Sequence, residues 1–124
     1  CRIVDYGAVQ GYDNLKTIVE TDEGSHYLGE IALVGYNSPI RNLETMFYET
    51  LFDENASCHF AIGDCYPTCL ENGGDMNKEE LAEHGLNSSL EHVDFMVGTN
   101  DLEITATTED GKTLKIFENG EWVI

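Results

Sequence analysis

The sequence predicts an α+β domain over residues 1–124, built of mixed, mostly antiparallel strands, about three helices and a C-terminal β-meander. Three observations lead there. Apolar residues recur at helical spacing in separate stretches; short apolar runs bounded by turn residues lie between them; and the stretch from Leu102 to Ile124 carries two hairpin signals, Asp110-Gly111 and Asn119-Gly120. Strand–helix alternation followed by a run of strands is an α+β order.

Residues 2–9 read as a first strand, opening with Ile3-Val4. Leu15, Ile18 and Val19 predict a helix over 12–22. Residues 27–36 read as a buried strand, apolar on both faces, until Ser38-Pro39 breaks the chain. Leu43, Met46, Phe47 and Leu51 form one stripe, which predicts a helix over 42–52. Residues 58–63 are a short apolar strand, 70–76 a loop around Gly73-Gly74, and 91–98 another strand. Asn77 with Glu80 three residues on predicts a capping box and a helix over 78–84.

Composition narrows the function. Six Lys and Arg against 24 Asp and Glu give a formal charge of −18, which repels phosphate backbones and anionic membranes, so neither nucleic acid nor membrane is an expected partner. An apolar fraction of 41% is enough for a core and argues against disorder. The chain opens at Cys1 directly into an apolar stretch, and the expectation is an excised domain or the tail of a longer protein. Four cysteines, Cys1, Cys58, Cys65 and Cys69, are expected to be free thiols in a cytoplasmic protein. A structural zinc site from Cys58, Cys65, Cys69 and His84 is an alternative, although the spacing matches no common knuckle.

Asp22-Glu23-Gly24 and Asp53-Glu54-Asn55 form an internal echo: in each, a predicted helix runs into two acids, then a residue suited to a left-handed cap, then an apolar strand. The plain reading is two similar helix exits; acids at a helix C-terminus also oppose its dipole, which points to their facing a cation or a donor.

Polar residues inside apolar strands carry the chemistry. Glu30 interrupts Leu28 to Val34, His59 stands between Cys58 and Phe60, and His92-Val93-Asp94 heads Phe95-Met96-Val97. A carboxylate in an apolar strand is costly unless paired or metal-bound. His92 and Asp94, two apart on a strand, point to one face and can aim at one metal or at two adjacent ones. Oxygen and imidazole donors suit a hydrolytic metal centre. His26 and His84 are expected to stay outside it.

At these residues the chain resembles a known family. Thr21-Asp22-Glu23-Gly24 with Leu28 to Val34, Leu51 to Gly63 with Tyr66-Pro67, His92 to Gly98, and the tail through Asn119-Gly120-Glu121-Trp122 are similar, in order, to the thermophilic metallo-aminopeptidases of the aminopeptidase T and aminopeptidase S group. The resemblance implies a co-catalytic exopeptidase that releases N-terminal residues from peptides, using water activated by two divalent ions, zinc or cobalt, with manganese or magnesium as further candidates. It implies Glu30 as the metal-bridging and catalytic glutamate, His59, His92 and Asp94 as metal ligands, and Tyr66 as the catalytic tyrosine that steadies the developing oxyanion. Asp53 or Glu54 is left open between gripping the substrate's amine and supporting His59. A further glutamate ligand is expected from upstream of Cys1, so this chain is expected to be the C-terminal metal-binding portion of a longer, homodimeric aminopeptidase and inactive alone. The competing interpretations are an acidic interaction module without catalysis and the cysteine-based zinc domain.

Overall fold

In the computed structural model, which describes residues 1–124, the elements in chain order are helix α1 (Tyr12–Val19), strand β1 (Leu28–Ala32), helices α2 (Pro39–Asn42) and α3 (Thr50–Asp53), strand β2 (His59–Gly63), helix α4 (Lys78–Glu83), and strands β3 (His92–Met96), β4 (Ile104–Thr107), β5 (Thr113–Glu118) and β6 (Glu121–Trp122). The α+β class holds. Contacts divide the chain into two compact units, residues 1–31 with 60–95, and residues 32–59 with 96–124.

The first unit holds all but one residue of each strand in a sheet ordered β1-β2-β3. Bonds at the strand ends give its direction. Gly63 N–H donates to Tyr27 O (2.8 Å) and Asp64 N–H to Glu91 O (2.7 Å), whereas Val34 N–H reaches Cys58 Sγ (3.2 Å) and Val97 N–H donates to Cys58 O (2.9 Å). Numbers that rise along β2 fall along both neighbours, so both pairings are antiparallel. Val19 of α1, Ala61 and Ile62 supply the buried apolar side chains. Asn77 and Glu80 form the expected capping box on α4, with bonds of 3.0 and 2.8 Å.

Two devices shape this unit. The first is the corner after β2. Gly63 takes φ +103°, and a Cβ there would meet Glu91 O at 2.1 Å, so only glycine lets the chain turn so close to the approach to β3. The second is Asp22. Its carboxylate accepts from Ser25 N–H (2.8 Å), Ser89 Oγ–H (2.8 Å) and Leu90 N–H (2.7 Å). These donors, Leu90 first and Ser89 next, hold the Asp22 carboxyl below its usual range.

In the second unit β4, β5 and β6 make the expected meander of antiparallel neighbours. Gly111 lies in one turn with positive φ, and Asn119 and Gly120 in the other. Phe117 is fully buried and packs on Trp122 with ring centroids 4.5 Å apart. Glu121 accepts from both the backbone N–H (2.6 Å) and the side-chain amide (2.8 Å) of Asn37.

The echo is structural. Asp53 accepts Phe47 N–H (2.9 Å) and Glu49 N–H (3.1 Å), so both echo aspartates face donors, and both are followed by a 3-10 turn, Gly24–His26 and Glu54–Ala56, and then by a strand.

Three expectations on elements need correction. The helix over 42–52 does not form. Its ends are the four-residue α2 and α3, and Glu44 and Tyr48 between them take positive φ. The stripe Leu43, Met46, Phe47 and Leu51 is exposed, so nothing repays helix nucleation, and Asp53 captures the N–H groups a helix would use. Residues 2–9 are not a strand: only Arg2 pairs, with Tyr27, while Val4 and Val9 lie exposed. The strand over 27–36 shortens to β1 and is not buried on both faces, because Ile31 and Leu33 are exposed.

Replacing Gly63 with alanine is expected to destabilise the protein by about 2 kcal/mol or more through backbone strain and collision, read from urea unfolding midpoints. The Asp22 clamp has a defined pH dependence. A depressed carboxyl stabilises the fold fully above the unfolded value of about 3.9, and loses that contribution as pH falls through the lower folded value. Wild type is expected to exceed D22N in stability at neutral pH, with the gap closing on acidification below that value, measured by thermal melts across the range.

Candidate metal centre

β1 and β3 flank β2, and their polar residues meet within the first unit. His92 Nε2 lies 3.3 Å from Glu30 Oε2 and 3.5 Å from Asp94 Oδ1. One donor atom from each of the three residues falls within 4.8 Å of the others. Alternation along β3 puts His92 and Asp94 on one face, while Phe95 turns away and packs on Phe60 with centroids 5.8 Å apart.

Backbone carbonyls set the imidazoles. His92 Nδ1 lies 2.8 Å from Asp64 O. A carbonyl can only accept, so Nδ1 carries the hydrogen and Nε2 of the neutral ring presents its lone pair toward Glu30 and Asp94. His59, on the first position of β2 and 2% exposed, repeats the device with Nδ1 2.9 Å from Ser57 O. His59 is assigned to the second unit.

Whether a cation suits the trio is decided by Asp94. Its Oδ1 is buried and has no hydrogen-bond partner. An ionised carboxylate only accepts, and leaving it unsatisfied is costly. Two carboxylates and one imidazole on that oxygen's side fit a borderline divalent ion such as zinc, cobalt or manganese. Tyr66, between the β2 corner and the 3-10 turn Pro67–Cys69, is half exposed, and its ring centroid is 5.0 Å from that of His92 at an interplanar angle of 57°. A hollow of about 510 Å³ lined by Glu23, Tyr27, Lys78 and Asn87 shares Asp64 with the corner but includes none of the trio.

The remaining candidates separate. His26 sits in a 3-10 turn and His84 caps α4, and neither belongs to a metal-sized grouping. No such grouping contains a cysteine, which removes the support for the cysteine-based zinc site. The Cys58 thiol is engaged with Val34 N–H and O at 3.2 Å each, and that of Cys65 donates to Asn87 O (2.9 Å) and accepts Asn87 N–H (2.8 Å). Sequence reasoning missed Asp64. Its signal was the glycine ahead of it at the end of an apolar strand, a pattern that marks a close backbone approach.

Known proteins are similar to this chain over nearly its whole length. The model of the thermophilic metalloprotease (M29) family matches residues 1–122. Aminopeptidase AmpS of Bacillus subtilis is 58% identical over 121 residues, and aminopeptidase 2 of Geobacillus stearothermophilus 52%, each match covering 98% of this chain and 30% and 29% of the relative. The solved structure of wild-type AmpT from Thermus thermophilus is similar at a TM-score of 0.86 and 38% identity, over 99% of this chain and 30% of that one. The chain thus spans about 30% of the length of the relatives it matches. With residues 1–122 matched, the chain belongs to the thermophilic metalloprotease family M29.

Proposed function

We propose that this chain is the C-terminal metal-binding portion of a metal-dependent aminopeptidase that releases N-terminal residues from peptides. The observation that carries the proposal is the convergence of Glu30, His92 and Asp94 in a member of a metalloprotease family. An acidic interaction module would leave that convergence, and the unsatisfied Asp94 oxygen, without a reason.

Glu30, His92 and Asp94 would hold a divalent ion, zinc or cobalt, and the proposal adds His59 as a further ligand and a second such ion. His59 enters on its own geometry, because the bond from Nδ1 to Ser57 O directs the lone pair to Nε2. Such ions, when bound, polarise a carbonyl and make hydroxide available near neutral pH. The protein's share is positional. Asp64 O keeps the hydrogen on Nδ1 of His92, and Tyr66, whose ring lies beside that of His92, would donate its phenolic hydrogen to the scissile carbonyl oxygen as charge develops there. A free α-amine, cationic at neutral pH, suits the strongly acidic surface, which favours peptides with an unblocked N-terminus. Four free cysteines suit a reducing cytoplasm, and the longer protein is proposed to work as a homodimer.

Three outcomes test this. In the full-length protein, His92→Ala is expected to lower metal affinity by about 100-fold or more, beyond the usual cost of losing a supporting partner, as measured by chelator competition. Tyr66→Phe is expected to lower kcat by about 10²–10³ with metal content unchanged, the cost of one oxyanion donor. The 124-residue chain alone is expected to bind zinc or cobalt weakly in calorimetry and to leave an aminoacyl chromogenic substrate intact. Turnover by it would sink the claim that upstream residues complete the centre.

A further inference from the structure

We propose that Asp22 is a positioning residue for the metal centre, acting through the segment that leads into β3. The inference rests on the metal-centre proposal above, because it concerns how His92 is aimed. Residues 89–92 are gripped from two sides. On one, the Asp22 carboxylate takes the Ser89 hydroxyl (2.8 Å) and the Leu90 N–H (2.7 Å), and the Ser25 N–H (2.8 Å) fixes the carboxylate itself. On the other, Asp64 accepts Ser89 N–H on Oδ1 (3.0 Å), donates its own N–H to Glu91 O (2.7 Å) and accepts His92 Nδ1–H on its carbonyl (2.8 Å).

The two grips differ in what they control. Asp64 touches His92 directly. Asp22 sets where the segment begins, and Ser89 joins both: its hydroxyl goes to Asp22, its N–H to Asp64, and its oxygen also accepts Glu91 N–H (3.1 Å). Without the Asp22 carboxylate, Leu90 N–H loses its acceptor and the Ser89 hydroxyl its partner, and the chain two residues before His92 keeps only the grip from the Asp64 side. His92 Nε2 faces Glu30 and Asp94 at only 3.3 and 3.5 Å, so a small shift misplaces a donor atom. Asp22 does not belong to the Glu30, His92 and Asp94 grouping, so its effect on metal binding runs through position alone.

The test uses the full-length protein with D22N, H92A and D110N. Asp110 lies in the hairpin turn between β4 and β5, where its carboxylate serves Lys112 and Thr108, and reports what loss of a structural carboxylate does by itself. Zinc affinity is read by chelator competition, and ligand geometry by the visible absorption of the cobalt-loaded protein. Expected are a loss of about tenfold in zinc affinity and a moved cobalt band for D22N, with D110N unchanged in both. D22N with wild-type affinity and spectrum, while H92A loses zinc, overturns the role of Asp22. H92A with wild-type zinc binding overturns instead the metal-centre proposal beneath it. Should D22N fail to fold, S89A replaces it: weaker zinc binding with a moved cobalt band supports the grip, and unchanged values overturn it.

Discussion

One backbone carbonyl, that of Asp64, determines what the first unit can do. It accepts the Nδ1 hydrogen of His92 and so leaves the Nε2 lone pair facing two carboxylates. The carbonyl can stand there only because the chain turns sharply at Gly63, and that turn needs a residue without a Cβ. β1 is placed by the same corner: a side chain at Gly29 would strike Asp64 O at 2.0 Å, and Glu30 follows immediately. Backbone geometry at two glycines thus fixes the spacing of Glu30 and His92 before any side chain is considered.

The cluster of Glu30, His92 and Asp94 was legible because its residues violate the pattern around them. Glu30, His92 and Asp94 each interrupt an apolar strand, and burial of such groups demands a partner. The meander was legible because its turns are built from residues that tolerate positive φ. What failed were segments whose apolar pattern has nothing to pack on. Leu43, Met46, Phe47 and Leu51 have helical spacing, yet exposure removes the burial that would stabilise a helix. Val4 and Val9 failed likewise as strand residues. Periodicity states which face should be buried; it does not supply the surface that buries it. Asp64 was illegible for another reason, since its decisive atom belongs to the backbone.

The two echo aspartates show how one local solution serves two ends. Both satisfy N–H groups of a neighbouring loop at a helix exit, and both precede a 3-10 turn and a strand. Asp53 does so within six residues of itself, and its capture of Phe47 and Glu49 ends any longer helix there. Asp22 reaches almost 70 residues along the chain to Ser89 and Leu90, and so joins distant segments. The acid set against a helix dipole is in both cases an acceptor for the loop beside it.

The reciprocal bonds between the Cys65 thiol and the Asn87 backbone tie the β2 corner to the loop ahead of β3. Burial pushes that thiol above its ordinary pKa, and its sulfur is occupied from both directions, so it is a poor nucleophile. Cys1 and Cys69 are exposed and Cys58 is buried, so the four thiols fall into separate classes of accessibility. An alkylating reagent is therefore expected to consume the exposed pair first, Cys65 next and Cys58 last, so that the second phase reports on the bonds that join the β2 corner to the loop ahead of β3.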